Sequence, residues 1–124
     1  MLYLLDADTA IFATTAQFPA LRERLAEREP GEVSLSAISF AEIVFGIEQG
    51  KPPTLESLGL LVEAVPVLPF DEAAARAYAR LPFKRARFDR LLAAHALSLG
   101  ATVITNNEQD FADVPGLKVE NWTQ

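Results

Sequence analysis

The sequence predicts an α/β protein, a three-layer α/β/α domain around a central, mostly parallel sheet of four to five strands. Two observations predict it. Short, almost wholly apolar runs recur along the chain, and stretches with helical periodicity alternate with them. A strand that alternated apolar and polar residues would have one wet face; continuous apolar runs belong to strands covered on both faces, as in parallel sheets. The runs are "MLYLL" (1–5), "EVSLS" (32–36), "AVPVLPF" (64–70) and "ATVIT" (101–105), with a weaker fifth, "LKVEN" (117–121).

The helices are justified by their ends as well as their periodicity. "FPALRERLAERE" carries leucines four apart and a charged opposite face. "SFAEIVFGIEQG" is expected to start after Ser39 as N-cap, with Glu42 closing a capping box three residues on, and to stop near Gly50. "TLESLGLLVEA" follows the Pro52-Pro53 break with Thr54 as its cap. "DEAAARAYARL" places two acids at the positive end of its dipole and is stopped by Pro82. "FDRLLAAHALSLG" ends in Gly100, a suitable C-terminal cap. Strands alternating with such helices form βαβ units, whose ligands bind outside the carboxyl ends of the strands.

The 124 residues suit one domain, 1–124, with a real core, and half of them are apolar, which excludes a disordered chain. No apolar run reaches the roughly 18–20 residues of a membrane helix. The amino-terminal residues lack a basic segment and a small-residue cleavage site, so a cytoplasmic location is expected. There is no cysteine, which excludes disulfides, zinc-thiolate sites and thiol nucleophiles. The net charge of −6 has the wrong sign for a nucleic-acid binder unless a local basic patch compensates. Such a patch exists in the sequence: Arg76, Arg80, Lys84, Arg85, Arg87 and Arg90 are six of the eleven basic residues.

Carboxylates at strand ends carry the functional signal. The first strand runs into Asp6 and Asp8, and the fourth into "TNNEQD", with Thr105, Asn106, Asn107, Glu108 and Asp110. Glu42 and Asp89 are expected in the first turns of two further helices, each inside an otherwise apolar stretch, "FAEIVFG" and "FDRLLAA". Singly, each acid can be explained as a cap or a dipole partner. Together they send acids from four elements to one edge, where they repel and raise one another's pKa unless a cation is present. Oxygen donors without histidine or cysteine suit Mg²⁺ or Mn²⁺, ions that clamp the attacking and leaving oxygens in phosphodiester cleavage.

"YLLDADTAI", "SFAEIVFG", "FDRLLAAHALSLGATVITNNEQDF" and "VPGLKVENW" resemble, in order and over nearly the whole chain, the blocks of PIN-domain ribonucleases, especially the VapC toxins of bacterial VapBC toxin–antitoxin pairs. The resemblance implies a Mg²⁺- or Mn²⁺-dependent endoribonuclease acting on RNA and silenced by a VapB-like antitoxin. It maps the family's catalytic and metal-holding acids onto Asp6, Glu42 and Asp89. The fourth acidic position falls on Asn107, with Asp110 one turn on as the substitute. Thr105 matches a hydroxyl residue kept near the metal. Thr105, Asn107, Arg85 and Arg87 are then the expected substrate contacts. Two departures stand out: the compact "RLPFKRARFD" before Asp89, and Asp8 where relatives carry Asn or Ser.

The single histidine, His95, lies six residues past Asp89, about 240° round a helix, and is read as structural. Tyr78, Phe83 and Phe88 could stack bases near the basic cluster, although aromatics at these spacings are more often core, and Trp122 reads as the residue closing the core. A degenerate PIN domain that binds RNA or protein without cutting is the alternative, supported by Asn107. A phosphatase-like domain would need a lysine near the "VITNNEQDF" strand end, and none is there. The surplus of bulky residues in "AIFATTAQF" and "ISFAEIVFGI" predicts a homodimer, with an antitoxin helix along the helices that contain Ile11 and Ile43.

Overall fold

The computed structural model describes residues 1–82 and 87–124. Five parallel strands form one sheet: β1 (Tyr3–Leu5), β2 (Val33–Ser36), β3 (Val67–Leu68), β4 (Thr102–Ile104) and β5 (Lys118–Glu120). Their order across the sheet is β3-β2-β1-β4-β5, and every pairing is parallel. All five expected strands are present, each shorter than its apolar run. The third shrinks most. Pro66 and Pro69 bracket Val67–Leu68, and proline has no N–H to give a ladder.

Residues alternate between two cores. Tyr3, Leu5, Val33, Leu35 and Ile104 face α1 (Ala7–Ala13), α2 (Pro19–Ala26), α3 (Ala37–Glu48) and α4 (Leu55–Ala64). Leu4 and Val103 face α6 (Arg87–Leu99), on which α5 (Glu72–Ala79) packs. Leu4, Leu5 and Leu35 are fully buried, and each contributes roughly 1.5–3 kcal/mol through its burial. The α6 helix meets the sheet through Ala93 and Ala96, small residues that let helix and sheet approach closely. It stops where Gly100 turns to φ 65° and Ala101 N–H closes on the Ala96 carbonyl at 2.9 Å.

The Ser39 capping box does not form. Ser36, the last residue of β2, is the N-cap of α3 and accepts from the Ile38 amide at 3.0 Å. Ser39 and Glu42 are therefore the third and sixth residues of α3. The helix begins a turn earlier because β2 runs directly into it, and a serine sat at each candidate position. Thr54 and Asp71 do cap α4 and α5, accepting from the amides of Ser57 and Ala74. Among the described helices none is long and apolar enough to cross a membrane.

Candidate active site

β1 is the point from which the chain builds the sheet in both directions, through β2 on one side and β4 on the other. At such a switch point the connections diverge and leave a crevice at the strands' carboxyl ends. Asp6 occupies it. The register pairs Leu5 with Leu35 and with Ile104, so the next residues, Ser36 and Thr105, flank Asp6 on either side.

Asp6 is also the N-cap of α1, its carboxylate accepting from the Thr9 amide at 2.8 Å. The "DADT" spacing carries that signal, which the sequence reading missed. Burial raises the Asp6 pKa; hydrogen bonds from Thr105 and Thr9 oppose the shift, and Asp8 adds to it. Thr105, expected as a substrate contact, is fully buried and its side chain hydrogen-bonds the Asp6 carboxylate. Its Oγ1 also accepts from the Asn107 amide at 3.0 Å, which folds the segment after β4 back over the site.

Asp6, Asp8, Glu42, Asp89, Asn107 and Asp110 line one cavity of about 60 Å³, with Ala7 as its apolar wall. That is a small, polar site on the scale of a hydrated ion. Glu42 reaches the cavity from the second turn of α3, which removes the capping explanation for an acid in that apolar helix. Its pKa is pushed up to about 7 by burial first, then by the charges of Asp89, Asp6 and Asp8. Asp89, in the first turn of α6, is pushed up to about 6 by burial, then by Asp110, Asp6 and Asp8, with Arg90 opposing. Asp110 and Asn107 thus share the wall, and Asp110 is the largest charge acting on Asp89.

The donor set fits a hard divalent ion: carboxylate and amide oxygens only, buried and crowded enough that Glu42 and Asp89 hold protons toward neutral pH. Among the described residues no three of the side chains are already drawn together as an ion's ligands. Mutual repulsion favours that spread arrangement until a cation arrives.

The basic patch is not one patch. Arg90 is 6 % exposed and pairs with Asp113. Arg76 pairs with Glu72 one turn earlier at 2.8 Å. Arg76 and Arg80 line a groove with Leu81, Leu97, Ser98 and Pro115, toward the carboxyl end of α6. Eight residues of helix separate Leu97 from Asp89, about 12 Å. The described arginines of that run are thereby divided, Arg76 and Arg80 toward one end of α6 and Arg87 and Arg90 at the other. Arg87 is exposed in the same first turn as Asp89. Arg85, with Phe83 and Lys84, lies outside the described residues.

His95 is buried away from the cavity and Trp122 closes the core against Tyr3, their rings 4.9 Å apart. Phe88 is more than half exposed and is not core. The apolar surplus expected on α1 is used internally: Ile11, Phe12 and Phe18 pack on the core, with Phe12 and Phe18 rings 4.7 Å apart. Ile43 also faces inward. Phe45 on α3 and Leu55 and Leu60 on α4 are the exposed large side chains instead.

The PIN domain profile matches residues 3–117. The chain is 30 % identical over 130 residues to the tRNA(fMet)-specific endonuclease VapC of Shigella flexneri, covering 98 % of each. It superposes on VapBC-1 from nontypeable Haemophilus influenzae with a TM-score of 0.81 and 28 % identity over the whole of both chains. VapBC2 from Rickettsia felis, solved bound to a promoter DNA fragment, matches with a TM-score of 0.85 over 98 % of this chain and 99 % of that one. At 23 % identity, that likeness speaks for the fold alone.

Proposed function

The chain belongs to the PIN-domain family, and from that premise we propose a Mg²⁺- or Mn²⁺-dependent endoribonuclease that acts as the toxin of a VapBC-type pair in the cytoplasm. One observation carries the reading: four elements deliver Asp6, Glu42, Asp89 and Asp110 to a single cavity at the switch point of a parallel sheet.

Asp6, Glu42, Asp89 and Asp110 would hold the ion, with Asn107 as a neutral oxygen donor beside them. The bound ion supplies charge neutralisation for the scissile phosphate and lowers the pKa of the attacking water. Asp6 is the fixed point of the site, its carboxylate oriented by the Thr9 amide and the Thr105 hydroxyl. Glu42, pushed up to about 7 by burial and by its acidic neighbours, would be drawn into its charged form by the cation and complete the set of ligands. Arg87, exposed beside Asp89, is placed to meet a phosphate entering the cavity.

Asn107 had supported a non-cutting domain, yet Asp110 lines the same cavity and restores the fourth carboxylate. That observation favours the nuclease. The partners that follow are an RNA substrate, a second copy of the chain and a VapB-like antitoxin. Exposed Phe45, Leu55 and Leu60 on α3 and α4 are apolar surface for the protein partners.

The test is cleavage of a mixed RNA pool while Mg²⁺ or Mn²⁺ is titrated in, with and without the antitoxin. Metal-dependent cutting that the antitoxin abolishes is the expected result. RNA binding with no cutting at any metal concentration would establish the non-hydrolytic reading.

A further inference from the structure

One buried polar chain lies outside the cavity and touches two of the elements that build it. His95, on α6, is 1 % exposed, and its Nδ1 lies 2.8 Å from Ser36 Oγ. Ser36 Oγ accepts from the Ile38 amide as the cap of α3. The imidazole also hydrogen-bonds the Pro69 carbonyl after β3, and its ring meets Phe70 edge-on at 5.6 Å.

Counting donors and acceptors orders the chain. A carbonyl can only accept, so one ring nitrogen carries the proton that reaches Pro69. Nδ1 is then a bare acceptor, and the Ser36 hydroxyl donates to it while Oγ receives the Ile38 N–H. Every polar atom of the imidazole is satisfied by a single neutral tautomer. Burial lowers the His95 pKa, which keeps the ring neutral; the Asp71 charge and the Pro69 carbonyl oppose the shift.

The ends of this chain are placed with regard to the site. Ser36 is the residue next to Asp6 across the sheet and lies six residues before Glu42 on the same helix. His95 lies six residues after Asp89 on α6. Apolar packing alone would let two helices slide by fractions of an ångström at little cost. Directional bonds between buried groups do not, because slippage leaves them unsatisfied. Misplacing a catalytic group by about 1 Å can cost about a hundredfold in rate.

We propose that His95 is a positioning residue, bonded through Ser36 and Pro69 so that α6 is locked to the start of α3 and Asp89 is held in register with Asp6 and Glu42. The inference rests on the metal-nuclease reading of the cavity. It goes beyond it by giving the one histidine a role without contact to metal or RNA.

The experiment compares full-length wild-type protein with His95→Leu, which fills a similar volume without polar atoms, and His95→Asn, whose Oδ1 can still accept from Ser36. Each is measured for Mn²⁺ affinity by calorimetry and for RNA cleavage. Lost support behind metal ligands typically costs about 10–100-fold. His95→Leu is therefore expected to remain folded with Mn²⁺ affinity and kcat down about tenfold or more and KM unchanged, and His95→Asn to recover most of both. Wild-type affinity and kcat in folded His95→Leu would overturn the proposal, as would His95→Asn performing no better than His95→Leu. Should His95→Leu fail to fold, Ser36→Ala removes the same bond from its other end with the imidazole in place. The same loss is expected there, and wild-type behaviour overturns the proposal. Wild-type protein that binds Mn²⁺ without cutting RNA refutes the nuclease reading alone, because the affinity comparison still decides the role of His95. Wild-type protein that takes up no Mn²⁺ refutes both.

Discussion

The cavity side of α6 and its other surroundings treat charge in opposite ways. At its amino end Asp89 joins Asp6, Glu42 and Asp110, and no ion pair to any of the four forms among the described residues. Off the cavity the arginines are matched: Arg90, the residue after Asp89, with Asp113, and Arg76 on neighbouring α5 with Glu72. Matched charges serve the fold or cost it little. The acids at the amino end work against it, since each raises the cost of ionising the others. A protein keeps such an arrangement where something outside the chain completes it, and the difference between the two sides marks where ligand belongs.

The largest expected effect breaks the acidic end. Asp6→Asn or Asp89→Asn removes several kcal/mol of charge stabilisation from the reaction, so RNA cleavage should fall by about a hundredfold or more. Circular dichroism should stay that of the wild type. Retained cleavage in Asp6→Asn would remove Asp6 from the mechanism.

At the matched side of the helix the cost should appear in stability instead. Arg90→Ala strips a buried guanidinium from Asp113, which is itself partly exposed. A loss of about 2 kcal/mol in urea unfolding is expected, below the figure for a fully buried pair. Mn²⁺ affinity should stay within about threefold, because the site lies on other side chains. A stability change near zero would mean that Arg90 is carried by packing alone.

The comparison sharpens with pH. Glu42 and Asp89 hold protons more tightly folded than unfolded, at about 7 and 6 against ordinary values of 4.5 and 3.8. The metal-free protein is therefore most stable below the unfolded values, and it loses that contribution as pH rises through about 6 to 7. Both groups are half-exposed, so the drop in Tm between pH 4.5 and 8 should be limited to about a few degrees. Glu42→Gln should flatten it, and Mn²⁺ should reverse it at pH 8. Scanning calorimetry of the metal-free protein checks both. A Tm that rises between pH 6 and 8 would contradict the raised pKa values.

The smallest effect separates the arginines. Arg87→Ala should weaken RNA binding and reduce the log–log salt slope by about one unit, if Arg87 neutralises one phosphate. Arg76→Ala, at an exposed ion pair, should change neither RNA binding nor, beyond about 0.5 kcal/mol, stability. Equal slopes in the two variants would reunite the arginines as an ordinary solvated surface.

How much of this was legible beforehand depended on the range of the interaction. The apolar runs announced β1, β2 and β4, because covering both faces of a strand demands local composition; β3 and β5, at the sheet edges, are only partly buried and gave weaker runs. The caps Thr54 and Gly100 were legible for the same reason, each satisfying backbone groups within a few residues of itself. Ser36 and Ser39 could not be told apart as caps, since both precede the same periodic stretch. The choice fell to the ladder that carries β2 up to Ser36. The chemistry of the site was also written in the chain: acids in apolar contexts, oxygen donors without histidine or cysteine, and family blocks in order.

Tertiary structure alone decided which charges face one another. Nothing in "RAYARLPFKRARFDR" says that Arg90 turns inward to Asp113 while Arg87 stays in water. Thr105 became the support behind Asp6 because β1 and β4 are neighbours, although a hundred residues separate them along the chain. Composition and spacing specify what each segment can become. Electrostatics acts through space, so the pairing of charges waits on the order of strands in the sheet.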